Sequence, residues 1–131
     1  MARNGSVDLE KFFAALADRT RLRLLNLMRD GEVCVCFFAE ALGTNNPKIS
    51  RHLAYLKRAG LVKGRRDGKW IHYSLDLLKN KQAEEIFGSL LNSFDADQEM
   101  VGDRSKLADV CCSPASPFVT LNRRPTDIST S

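Results

Sequence analysis

Two pairs of cysteines carry the most conspicuous chemistry in this chain: Cys34-Val35-Cys36 and Cys111-Cys112. Thiolates are soft ligands and select soft ions, whereas a hard-ion site needs clustered oxygen ligands, and none gather beside either pair. Tetrahedral zinc sites want Cys/His sets with two to four residues between cysteines. The chain has only two histidines, His52 and His72. Both lie in a basic segment, where they read as backbone or phosphate contacts or packed rings rather than metal ligands. The same thiols are capable of disulfide chemistry, and a buried cysteine is often no more than a small hydrophobe. The first six residues lack the apolar core of a secretory signal, so we expect a cytoplasmic chain with reduced cysteines.

The second reactive feature is electrostatic. Between Lys48 and Tyr73 stand eight lysines and arginines against one acid, Asp67, a net of +7. The whole chain is only +4, so the remaining residues sum to −3. Positive charge concentrated in one segment is the footprint of a phosphate-binding surface. That segment begins with Asn45-Asn46-Pro47, an N-cap followed by proline at the first helical position. At about 100° per residue Ile49, Leu53 and Leu56 share one face. Arg51, Tyr55 and Arg58 fall opposite, with Lys48 and Ser50 on the flanks of the first turn. One face is thus anchored while the other looks outward, as a major-groove reader requires. Residues 61–63 and 70–75 are rich in strand formers, and Asp67-Gly68 between them signals a tight hairpin. A basic helix followed by a basic hairpin is the makings of a winged helix-turn-helix that grips duplex DNA. We assign Lys48, Ser50, Arg51 and Tyr55 to the major groove, Asn45, Asn46 and His52 to contacts around the helix start, and Arg66 and Lys69 to the wing tip.

These elements need a frame. Asp8 can cap a helix with Leu9, Phe12, Phe13 and Leu16 at helical spacing, and Asp18 or Thr20 opens a second, strongly apolar one. Residues 32–36 read as extended, followed by a short helix over 37–43 ended by its glycine. A further helix over 79–94 carries Ile86, Phe87, Leu90, Leu91 and Phe94 as a stripe, and 97–110 holds another short helix. From Ser113 to Ser131 the seven Ser/Thr and three Pro in 19 residues predict a mobile tail. The expected organisation is a mainly α domain with a two-stranded β-wing over residues 1–95, then an extension over 96–131 carrying the vicinal cysteines. No apolar run approaches the roughly 20 residues of a membrane helix. There is no Cys-x-x-Cys opening a helix after a strand, no phosphate-binding glycine loop, no H-E-x-x-H and no convincing nucleophile–base pair. An enzyme, with its catalytic cofactor, is therefore not expected.

With these residues in view, the chain resembles the ArsR/SmtB family of metalloregulatory repressors. The resemblance rests on Ala14, Leu16-Ala17-Asp18-Arg19-Thr20-Arg21-Leu22-Arg23-Leu24-Leu25, on Glu32-Val33-Cys34-Val35-Cys36, on Ile49-Ser50-Arg51-His52-Leu53, and on the wing from Arg65 to Tyr73. It implies a winged-helix homodimer that represses its own operon and releases DNA when a toxic thiophilic ion binds. It also implies a dimer interface of terminal helices, here Leu9, Phe12, Phe13 and Leu16 with Ile86, Phe87, Leu90 and Leu91.

The Cys34/Cys36 pair resembles the arsenic-sensing branch, whose pattern is Cys-x-Cys-x-x-Cys; this sequence departs at the third position, Ala39. Trivalent arsenic prefers three thiolates in a pyramid, so two alone leave one exchangeable position. A monomethylated arsenical needs only two, since carbon fills the third. Cys111 and Cys112 leave several arrangements open: one three-sulfur site, two separate two-sulfur sites, or a site shared across the dimer. The inducer implied is trivalent arsenic, as arsenite or an organoarsenical. The competing readings are a redox-sensing repressor and, more remotely, a thiol oxidoreductase or arsenate reductase.

Overall fold

The computed structural model describes residues 8–77 and 81–111, the Cys111 side chain excepted. The elements run α1 (Leu9–Leu16), α2 (Arg19–Leu27), β1 (Val33–Cys34), α3 (Val35–Leu42), α4 (Asn46–Arg58), β2 (Val62–Asp67), β3 (Trp70–Leu75), α5 (Lys81–Asp95) and α6 (Gln98–Cys111). The helices start where short polar side chains can accept orphan amide protons. Asp8 accepts from the Lys11 amide, Asp18 from the Arg21 amide, and Asn45 from the Lys48 amide. The cap of α4 is therefore Asn45, one residue earlier than the sequence suggests, with Asn46 and Pro47 already inside the first turn.

Two further elements differ from the expectation. The sheet has three strands in the order β1-β3-β2, because Val33 and Cys34 pair with Tyr73 and His72. A two-residue strand has no alternation to read, so only the two-stranded wing is legible in the sequence. Cys36 lies in the first turn of α3 rather than in an extended lead-in, since the helix begins at Val35. The mobile tail expected from Ser113 onward, and the Lys79 start expected for α5, lie outside the described residues.

One core binds the elements, built from Phe12, Leu24, Leu25, Phe38, Ile49, Leu53, Leu56 and Leu61, all fully buried. Helix α6 joins it, lying across α2 and packing most extensively against α3. Asn26, fully buried, donates to the Met100 carbonyl. The Arg23 guanidinium makes a two-pronged pair with Asp103 at 2.7 and 2.9 Å. Asp103 keeps only 5% of its side-chain exposure, while Arg23 keeps 18% and a second carboxylate, Glu99, at 3.5 Å. Arg19 pairs with Asp97 and Glu99 in solvent, holding the Asp97 carboxyl down to about 2. Exposed pairs of this kind contribute ~1 kcal/mol or less.

The first helix splits its aromatic pair. Phe12 is fully buried, while Phe13, packed edge-on against it, is 51% exposed. We expect Phe12→Ala to cost about 3–5 kcal/mol in chemical denaturation and Phe13→Ala about 0.5 kcal/mol or less in the isolated protomer. Equal losses at the two positions would contradict this packing.

Candidate nucleic-acid interface and thiol site

Helices α3 and α4 form a helix-turn-helix. Helix α3 closes at Gly43, whose φ of 71° is the left-handed conformation glycine adopts without steric cost. The Gly43 and Thr44 amides both donate to the Ala39 carbonyl, completing the turn. Helix α4 then buries Ile49, Leu53 and Leu56 completely. Asn45, Asn46, Lys48, Ser50 and Arg51 are exposed along its N-terminal half. The open end of a helix with cations on its outer face favours phosphate.

Two further residues assigned to this face, His52 and Tyr55, are only partly exposed and contact Arg21. His52 is largely covered, with Nδ1 accepting from an Arg21 nitrogen at 3.4 Å and lying 3.9 Å from Asp18. Burial lowers its pKa; Asp18 opposes that shift, while Arg21, Lys48 and Arg51 reinforce it. A neutral imidazole with Nδ1 unprotonated is the form that can accept this bond. Tyr55 packs against the core with the Arg21 guanidinium 4.0 Å from its ring centroid and Arg58 at 5.7 Å. Arg21 also donates to the Ala14 and Ala15 carbonyls at the end of α1. One half-buried cation thus joins α1, α2 and the reading helix. Sequence reading missed this role, because its partners are backbone carbonyls and an aromatic face from other helices, with the neighbouring Asp18 carboxylate only at 3.9 Å.

In the wing, Gly68 takes the positive φ that the hairpin turn needs, and Arg66 and Lys69 are exposed at the tip. The Lys69 ammonium sits 5.2 Å from the Trp70 ring. Arg65 is engaged within the chain: its guanidinium donates to both Glu32 carboxylate oxygens at 2.8 and 2.9 Å. Neither Glu32 nor Arg65 stood out singly in the sequence, since they are 33 residues apart and only the strand register brings them together.

The thiols of Cys34 and Cys36 lie 3.3 Å apart. Cys34 is 2% exposed at the N-cap of α3, and Cys36, two residues on in the first turn, is partly exposed. Burial, then the hydrogen bond and proximity of Cys34, push the Cys36 thiol up to about 12. Taking the ~2.3 Å thiolate bond of zinc as a yardstick, sulfurs this close subtend roughly 90° at a shared atom, tighter than a tetrahedron. Among the described residues, no group of three or more His, Cys, Asp or Glu could hold a metal ion. Ala39, where the third cysteine of the pattern would stand, is partly buried against the core. Cys111 closes α6, but its side chain and Cys112 lie outside the described residues.

A basic helix-turn-helix followed by a basic wing defines a DNA-binding regulator, with a close thiol pair beside the reading helix. Comparisons with known proteins agree. A family profile described as bacterial regulatory protein, arsR family, matches residues 18–63. The chain is 41% identical over 107 residues to the arsenic resistance transcriptional regulator ArsR1 of Pseudomonas putida, covering 80% of this chain and 81% of that one. It is 50% identical over 66 residues to the arsenical resistance operon repressor of Escherichia coli, covering 50% of this chain and 56% of the repressor. A homodimeric winged helix-turn-helix fragment from Mycobacterium bovis, titled a possible ArsR-family transcriptional regulator, superposes with a TM-score of 0.57 at 31% identity. That match covers 70% of this chain and 82% of the fragment. The chain belongs to the ArsR family of bacterial regulatory proteins. It is a transcriptional regulator and not an enzyme, and no helix among the described residues is long and apolar enough to cross a membrane.

A thiol titrating near 12 is protonated across the neutral range. Alkylation of Cys36 should therefore accelerate close to tenfold per pH unit from pH 7 to 9, because the thiolate is the nucleophile. A rate that levels off below pH 9 would contradict the environment described.

Proposed function

We propose that this protein is a homodimeric repressor that leaves its operator when trivalent arsenic bridges Cys34 and Cys36. The observation that carries the reading is the 3.3 Å sulfur–sulfur contact at the head of α3, the helix that packs against the reading helix α4. Each thiol replaces one hydroxyl of arsenous acid: an As–S bond forms, an As–O bond breaks, and the thiol proton leaves with the hydroxyl as water. Arsenic stays trivalent throughout. A near-right angle between sulfurs suits an atom with a lone pair better than it suits tetrahedral zinc. With alanine at position 39, the third place on arsenic falls to a hydroxyl, to the methyl of an organoarsenical, or to a thiol from Cys111 or Cys112.

The exchange moves no net proton, whereas a divalent cation must expel the thiol protons. Arsenite affinity should therefore stay nearly flat from pH 6 to 8, while cadmium affinity should rise at least tenfold per unit. Equal pH dependence for the two would refute the assignment. The 3.3 Å contact also favours a second reading, a repressor triggered by a Cys34–Cys36 disulfide. Arsenite added under strong reductant separates the two, because only a metalloid sensor then releases DNA.

Binding one ligand at the junction of β1 and α3 fixes the angle between them. Helix α3 meets α4 through the Gly43 turn, so a small displacement tilts one reading helix against its dimer mate. Phosphate contacts add only when both helices are in register, and several are lost together. The ligand must favour the DNA-free state, since equal affinity for both would shift nothing. Dimerisation is supported by Leu9 and Phe13, each about half exposed, and by the partly exposed Ile86, Leu90 and Leu91. Phe12, Leu16 and Phe87 are buried in the protomer, so charge placed there should unfold it.

On DNA, Lys48, Ser50 and Arg51 serve the major groove, and Arg66 and Lys69 the phosphates flanking the wing. Arg51→Ala should cost about 1–3 kcal/mol with relaxed base preference, and Lys69→Ala should lower the salt slope by about one. Cys34→Ser and Cys36→Ser should leave operator binding intact and abolish arsenite release in fluorescence anisotropy. A double variant that still lets go at the wild-type arsenite concentration would move the sensor elsewhere.

A further inference from the structure

The short strand β1 does more than complete a sheet. In the order β1-β3-β2, Cys34 lies opposite His72, and His72 lies opposite Arg65. Residues directly opposite in an antiparallel sheet project from the same face. One transverse row therefore runs from a sensor thiol, through a buried imidazole, to a cation of the wing. Cys34 and His72 are 2% and 6% exposed. Glu32, two residues before Cys34, sits on the same face by strand alternation. Its carboxylate takes both prongs of the Arg65 guanidinium at 2.8 and 2.9 Å. An ion pair from the β1 side to β2 has to cross β3, so it spans the strand that carries His72. Asp67, also on β2, places a carboxylate oxygen 3.8 Å from His72 Nε2. On the opposite face, a Cβ on Gly64 would come within 3.2 Å of the Tyr73 ring, so β2 and β3 are closely fitted there too.

We propose that Glu32, Arg65 and His72 are positioning residues that couple the thiol pair to the wing. This rests on arsenic binding at Cys34 and Cys36. The two cysteines belong to different elements, Cys34 to β1 and Cys36 to the first turn of α3. The 3.3 Å spacing already fits a bridging atom, so the ligand replaces one thiol hydrogen bond with two covalent bonds. The rotation that aims both sulfurs at one atom falls on the element that yields more easily. Helix α3 is held in the core by Phe37, Phe38, Ala41 and Leu42, whereas β1 is two residues long. The strand therefore moves, carrying β3 by its backbone pairing and β2 by the Glu32–Arg65 fork. Occupation of the thiols then lifts the wing off its phosphates while it tilts the reading helix. Arsenic and DNA oppose each other through two contacts per protomer rather than one.

The chain supplies its own reporter. Its single tryptophan, Trp70, is in the wing, on the same face as His72 and opposite Asp67. Arsenite should change Trp70 emission in the full-length, DNA-free protein. Glu32→Gln and Arg65→Lys should each remove most of that change; lysine keeps the charge but not the two-pronged geometry. Arsenic stoichiometry and affinity should stay within about threefold of wild type, while the arsenite concentration for half-release of operator rises at least tenfold. The exchanged pair, Glu32→Arg with Arg65→Glu, should restore release toward wild type, as a double-mutant cycle on an interacting pair requires.

The failures are separable. If wild-type protein does not release DNA with arsenite, or Cys34→Ser/Cys36→Ser protein does, the sensor reading falls. If wild type behaves as expected but Glu32→Gln and Arg65→Lys release at the wild-type concentration with an unchanged Trp70 response, the coupling is refuted. Loss of arsenic binding itself in both variants would also overturn it, by showing the fork to build the thiol site rather than transmit from it. Should Glu32→Gln fail to fold, Arg65→Lys alone decides the matter.

Discussion

Everything in this protein depends on helix α4 burying one face while keeping the other bare. Ile49, Leu53 and Leu56 are completely sequestered, and each aliphatic side chain so buried contributes about 1.5–3 kcal/mol. That burial sets the rotation of the helix about its axis, and rotation decides that Lys48, Ser50 and Arg51 look outward. The Asn45 cap and the Gly43 turn fix where the helix begins. Arg21 then braces it from the side, stacked on Tyr55 and hydrogen-bonded to the end of α1. A reader held this firmly cannot respond by bending; it can only be displaced as a body, through the elements packed against it.

In the proposed mechanism the thiols sit where such a displacement begins. Cys34 ends a strand of two residues, and Cys36 opens a helix anchored in the core. Burial keeps Cys36 protonated, which suits exchange with a neutral hydroxylated arsenic species and penalises capture of an aquated cation. Helix α6, pinned by the pair between Arg23 and the buried Asp103 and by the Asn26–Met100 hydrogen bond, holds α2 and α3 from the far side. The proposed connection between thiols and reader is mechanical: a stiff helical body, a short strand, and a wing hydrogen-bonded to that strand.

Much of this was legible in the residues themselves. The net +7 segment, the Asn-Pro helix start and the Asp-Gly hairpin gave the winged helix-turn-helix, because each is a local signal with a local physical cause. The Cys-x-Cys spacing gave the thiol pair for the same reason. What escaped reading depends on pairing across long separations. Cys34 beside His72, Glu32 beside Arg65 and Arg23 beside Asp103 follow from strand register and helix docking, which leave no trace in nearby sequence. Charge context and helical angle assign His52 and Tyr55 to the DNA face, but do not reveal that both are partly covered. Both are drawn inward by Arg21, a partner supplied by another helix. The aromatic pair Phe12-Phe13 could not be apportioned from spacing alone, since adjacent residues lie about 100° apart and the core takes only one of them.

The central claim is that Cys34 and Cys36 are themselves the arsenic ligands. Arsenic X-ray absorption on arsenite-loaded protein, with Cys111 and Cys112 replaced by serine, tests it most directly. Two sulfur neighbours and one light atom around arsenic are predicted. An all-oxygen shell, or no retained arsenic while operator release persists, would contradict it.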